Sequence, residues 1–123
     1  MRRRQRQEQI IHKATISHLK ARGVRDLVFL HPANGGARSP IEGAILKSLG
    51  VVPGAPDLLL WHAGKSFALE IKTEVGRVTE AQLELLDRLS KAGVYTAIAH
   101  GLDRALAILE SWGLLRGQAA RSA

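Results

Sequence analysis

Hydrophobic and polar positions change their period along this chain, and each change marks an element. From about Arg4 to Arg22 the spacing is helical, with Ile11, Thr15 and Leu19 on one stripe and Gly23 as the stop. Leu27-Val28-Phe29-Leu30 is a short apolar run ended by His31-Pro32, which reads as a first strand. After the loop 33–38, Ser39 as N-cap, Pro40 at the first helical position and Glu42 completing a capping box predict a short helix ending near Leu49-Gly50. A rigid turn, Val51 to Pro56, leads into a hairpin: Leu58-Leu59-Leu60-Trp61, turn residues Ala63-Gly64-Lys65, then Phe67 to Lys72. Thr79 opens a third helix, with Gln82 at the capping-box position, Val78 and Leu83 as a staple, Leu83, Leu86 and Leu89 in helical spacing, and Gly93 closing it. Val94 to Ala99 is a fourth strand. An amphipathic helix from about Asp103 to Trp112 carries Ala105, Leu106, Ile108, Leu109 and Trp112. That order predicts an α/β fold, a small mixed sheet flanked by helices, as one domain over residues 1–123 with a short tail after 115.

Composition narrows the function classes. At 123 residues, 46% hydrophobic and 24% charged, the chain is an ordinary globular domain with enough material for a core. With no cysteine there is no disulfide framework, zinc knuckle or thiol nucleophile. The five histidines (His12, His18, His31, His62, His100) lack the paired spacing of a zinc site and read as surface or half-buried residues. No run is long enough to span a membrane and the Arg-rich start lacks a signal peptide's apolar stretch, so the cytoplasm is the expected compartment. A net charge of +7 favours a polyanionic partner, and nucleic acid is the leading one. The charge is concentrated early: Arg2, Arg3, Arg4, Arg6, Lys13, Lys20, Arg22 and Arg25 stand against a single acid, Glu8, in residues 1–25. With aromatic content of 4%, Trp61 and Trp112 are expected in the core rather than stacking on bases.

The candidate chemistry lies in the hairpin. Side chains alternate on a strand, so Phe67, Leu69 and Ile71 face one way while Glu70 and Lys72 face the other, with Asp57 at the mouth of the neighbouring strand. Two carboxylates beside an ammonium suit a divalent cation and phosphodiester chemistry. The same spelling equally suits a turn aspartate and the solvated outer face of an edge hairpin. Hard cations take oxygen ligands, so Asp57, Glu70 and the Ile71 carbonyl are the candidate anchors. Lys72 is placed to orient an attacking water or to stabilise charge on the phosphate. The Gly35-Gly36 loop with Arg38 could bind a phosphate through backbone N–H groups, or be an ordinary glycine turn.

The run Gly50-Val51-Val52-Pro53-Gly54-Ala55-Pro56-Asp57-Leu58, then Glu70-Ile71-Lys72, then Gln82, resembles the stand-alone virus-type replication-repair nuclease (VRR-NUC) domains of the PD-(D/E)xK superfamily. The loop Asn34-Gly35-Gly36-Ala37-Arg38 and the helix end Ala44 to Gly50 are also similar to that family, and the resemblance covers the chain up to Leu115. It implies a restriction-endonuclease-like core that cleaves DNA with Mg²⁺ or Mn²⁺. Asp57 and Glu70 would hold the metal, Lys72 would be the catalytic lysine, Glu8 the acid of the first helix and Gln82 the glutamine near the site. Glu8 lies in register with Ile11, Thr15 and Leu19, whereas Glu42 has a local role in its capping box; a surface Glu8 offsetting neighbouring arginines is the alternative.

The expected partner is DNA, on branched or Holliday-junction-like substrates, contacted by Arg2, Arg3, Arg4, Arg6, Lys13, Asn34 and Arg38. A homodimer is expected because so small a chain presents little DNA-binding surface, with Trp112, Gly113, Leu114 and Leu115 as a candidate contact. The rival readings are a non-catalytic nucleic-acid-binding module on the same fold and a structural protein with a basic tail.

Overall fold

The computed structural model describes residues 2–32 and 39–117. Its elements run α1 (Arg3–Arg22), β1 (Val28–Leu30), α2 (Pro40–Ser48), β2 (Leu58–His62), β3 (Lys65–Lys72), α3 (Glu80–Lys91), β4 (Tyr95–His100) and α4 (Leu102–Ser111). The sheet order is β1-β2-β3-β4, so β3, which carries Glu70 and Lys72, is a central strand. β1 and β2 pair antiparallel, as do β2 and β3, while β3 and β4 are parallel because α3 crosses between them. The β2–β3 turn is two residues, Ala63 (φ 51°) and Gly64 (φ 79°), both left-handed, which matches the twist of the strands and leaves Lys65 paired with His62.

Register sets the faces. Leu58 and Leu60 lie opposite Leu69 and Phe67, and with Ile71 and Ala99 they form the face that packs against α1 and α4. Leu19 from α1 and Ala105, Leu106 and Leu109 from α4 complete that core. On α1 the buried side is the expected stripe: Thr15 and Leu19 are buried and Ile11 half-buried. The other face of the sheet, with Ala68, Glu70 and Ile98, lies toward α3.

Several local expectations change. Ser39 Oγ accepts from Glu42 N at 3.1 Å, yet the return bond from the Glu42 side chain is not made among the described residues, so α2 is capped on one side only. Leu83 is exposed rather than stapling Val78, because α3 turns Leu86 toward the sheet. Trp112 packs on Phe67 at 5.1 Å between ring centroids, as a core residue should, but Trp61 is 38% exposed because its strand neighbours Leu60 and His62 alternate away from it. Leu114 and Leu115 are buried inside the chain: Val24 N donates to Leu114 O and Leu115 bridges to Gly23. That segment closes this chain's own core, so it is not available as the dimer contact expected above. Among the described residues no helix is long and apolar enough to cross a membrane.

Candidate active site

The site is assembled where β2 and β3 part. Leu58 and Leu69 are the last cross-strand pair at this end of the hairpin. Beyond it the Asp57 side chain takes the place of a strand partner, and its Oδ2 accepts a hydrogen bond from Ile71 N at 2.7 Å. The approach to Asp57 is fixed from behind. Gly54 is left-handed (φ 81°) and sits so close to the start of α3 that a Cβ there would come within 2.7 Å of the Ala81 carbonyl. The turn before Asp57 is thereby pressed onto the helix that carries Gln82.

Glu70 and Lys72 point from the central strand toward α3, and they are only 3% and 7% exposed. This excludes the solvated outer face of an edge hairpin. Lys72 Nζ stands 3.6 Å from Glu70 Oε2, and Gln82 Nε2 donates to the same oxygen at 2.8 Å. Gln82 has two tasks at once. Its Oε1 accepts from Thr79 N at 2.8 Å, closing the capping box of α3, while its Nε2 holds the carboxylate. Because a backbone N–H requires an acceptor, the cap dictates that the NH₂ end faces Glu70. Lys72 O accepts from Gly101 N at 2.9 Å, anchoring the end of β3 to the start of α4.

The electrostatics are those of a buried carboxylate whose one counter-charge, Lys72, does not offset burial and a neighbouring acid. Burial, and then the neighbouring Asp57 carboxylate, push Glu70 up from an ordinary 4.5 to about 8, against the opposing pull of Lys72. Glu70 Oε1 is buried with no hydrogen-bond partner among the described residues. A buried, unpartnered carboxylate oxygen beside a second carboxylate is costly unless a cation faces it. The donor set fits a hard divalent ion: Asp57 and Glu70 can hold one, with the adjacent Ile71 carbonyl as a third oxygen.

Two residues that the sequence left unassigned enter the same corner. His12, one turn beyond Glu8 on α1, meets His31, just past β1, edge to face at 4.6 Å between ring centroids. One ligand atom from each of His12, His31 and Asp57 lies within 4.8 Å of the others. His31 Nδ1 is 2.6 Å from Asp57 O, and since a carbonyl only accepts, Nδ1 carries the proton. Burial, and next His31, lower the His12 pKa, with Asp57 opposing. Spacing of 19 residues between two histidines carries no metal signal in a sequence. The available hint was position: His31 follows a strand, and His12 follows Glu8, on the stripe expected to face inward, by four residues.

Other expected site residues are scattered. Glu8 is half-buried on α1 and makes no hydrogen bond or ion pair with the described residues; Glu42 is exposed. Arg2, Arg3, Arg4, Arg6 and Lys13 are exposed along α1. Asn34 and Arg38 lie outside the described residues.

A family model described as the VRR-NUC domain matches residues 6–103, which spans α1 through the first turn of α4. A solved structure described as a VRR-NUC domain protein aligns with a TM-score of 0.74 and 24% identity, over 85% of this chain and 86% of that one. A second, described as a VRR-NUC domain, aligns at 0.59 and 20% identity, over 85% of this chain and 96% of that one. At these identities the structural likeness speaks for the fold. No curated protein matches the sequence.

Proposed function

Since the chain belongs to the VRR-NUC family, a nuclease-associated family, we propose that it is a Mg²⁺- or Mn²⁺-dependent DNA endonuclease, acting on branched or junction DNA as a homodimer. The observation that carries this reading is the meeting of half-buried Asp57 with buried Glu70 and Lys72 beside an unpartnered carboxylate oxygen. A divalent cation bound there supplies Lewis-acid polarisation of a phosphate and an activated water. Asp57 and Glu70, with the Ile71 carbonyl, hold it. Gln82 keeps Glu70 in one rotamer by occupying Oε2, which leaves Oε1 for the cation. Lys72 is held within the same buried space and orients water or neutralises charge developing on the phosphate. Glu8, on the inward stripe of α1, is the additional acid, and Arg2, Arg3, Arg4, Arg6 and Lys13 on the exposed side follow the DNA backbone.

The test is cleavage of linear, flapped and four-way DNA with Mg²⁺, Mn²⁺ or EDTA. Cation-dependent cutting that prefers branched substrates is expected, lost in Asp57→Asn and Lys72→Ala while salt-sensitive DNA binding persists. Cutting by Lys72→Ala near the wild-type rate would remove the mechanism. Binding without cutting under every condition would leave the non-catalytic module.

A further inference from the structure

We propose that His12, His31 and Asp57 form a nitrogen-rich position for a first-row transition cation, distinct from the oxygen-only position at Glu70 and closed to Mg²⁺. Three observations carry it. The donor atoms come from three separate elements (α1, the segment after β1, and the entry to β2), and one from each lies within 4.8 Å of the others. Donors on one tetrahedral ion stand roughly 3.4 Å apart, so small side-chain rotations bring these onto a shared centre. His31 is already set as a ligand: with Nδ1–H given to the Asp57 carbonyl at 2.6 Å, its Nε2 holds the lone pair. A ring N–H donated to a backbone carbonyl is the usual way a metal-binding imidazole is oriented. Asp57 has Oδ2 engaged by Ile71 N, which leaves Oδ1 for a cation.

The chemistry of the set decides the ion. Imidazole nitrogen suits Zn²⁺, Ni²⁺, Cu²⁺ and Fe²⁺, whereas Mg²⁺ prefers oxygen and releases its water reluctantly. Three protein ligands at a corner where His31 is exposed leave a position open to solvent or to a phosphate oxygen. The inference deepens the nuclease reading, and rests on it for Asp57 being shared with the Glu70 position. Its own evidence is separate, because the two histidines have no part in that reading.

The experiment uses untagged full-length protein and Zn²⁺ alone. In ¹⁵N–¹H correlation spectra of the wild-type imidazoles, Zn²⁺ should shift the Nε2 resonance of His31 and one ring nitrogen of His12. His18, His62 and His100 should stay in place, and Mg²⁺, held through Asp57 at the Glu70 position, should leave the ring nitrogens of His12 and His31 without the large shift of direct coordination. Calorimetry should show one tight Zn²⁺ equivalent that is lost in His12→Ala and in His31→Ala and kept in Glu70→Gln. Zn²⁺ spectra that leave His12 and His31 unmoved would overturn the proposal without any variant having to fold. So would a Zn²⁺ equivalent indifferent to both histidine substitutions. Failure of the nuclease reading has a different signature: His-dependent Zn²⁺ binding with no cleavage in any cation.

Discussion

Glu70 makes the stability of the cation-free protein depend on pH in a direction unusual for an acid, and Glu70→Gln should abolish that dependence. The folded state raises this carboxyl from 4.5 to about 8, chiefly through burial and then through Asp57. The folded chain therefore holds the proton more tightly than the unfolded chain does. Its stabilising contribution is complete below about pH 4.5 and is lost as pH rises through 8. Each tenfold difference in proton affinity is about 1.4 kcal/mol, so the whole effect is on the order of several kcal/mol, most of it falling between pH 5 and 8. For a domain whose total stability is on the order of 5–15 kcal/mol, that is a large share. His12 works in the opposite sense, because its pKa is lowered: its contribution is complete above about 6.5 and is lost as pH falls. The comparison of wild type with Glu70→Gln isolates the carboxyl, and glutamine keeps an acceptor for Gln82 Nε2. Urea denaturation in EDTA at intervals from pH 5 to 8.5 measures it. Wild type should weaken toward pH 8 relative to the variant, and Mn²⁺ should restore wild type alone. Parallel stability curves for the two proteins would refute the reasoning, because they would mean that Glu70 is ionised in the folded state at no cost.

Gly54→Ala should destabilise by about 1–2 kcal/mol through the left-handed conformation alone, and further through the 2.7 Å approach to Ala81; denaturation measures the first effect and weakened Mn²⁺ binding the displacement of Asp57 and Gln82. Leu114→Ala, at a fully buried position behind α4, should cost about 2–5 kcal/mol and leave the mass in solution unchanged; light scattering and urea denaturation check both, and a loss of dimer without loss of stability would restore that segment as an interface. Glu8→Gln should lose most cleavage and Glu42→Gln little, since Glu42 is exposed on α2 while Glu8 lies on the inward stripe of α1; the reverse pattern in a nicking assay would exchange their roles.

Periodicity, capping and turn residues were enough to place every element of this chain to within a few residues, because those signals are local. Ser39 before Pro40, Thr79 before Gln82 and Ala63-Gly64 between two apolar runs each act over a handful of positions. Alternation along Phe67–Lys72 likewise put Glu70 and Lys72 together on one face. What alternation could not decide was whether that face met water. An acid and a base at the edge of a sheet would be solvated; the same pair, Glu70 and Lys72, on a central strand under α3 is buried, and strand order is a property of the assembled sheet.

The same limit explains the rest of the site. The two uses of Gln82 were legible separately, but only the approach of α3 to β3 makes one amide serve both. Leu114 and Leu115 looked like an apolar surface near a terminus until α1 and α4 closed over them. His12 and His31 are 19 positions apart, with no spacing rule to join them, and it is the packing of α1 across the end of β1 that sets their rings 4.6 Å apart. The sequence by itself determined the elements and the candidate residues, since hydrogen-bonding and rotamer preferences act between near neighbours. The tertiary structure alone decided burial, and with it which of those charged groups are solvated and which must find a partner.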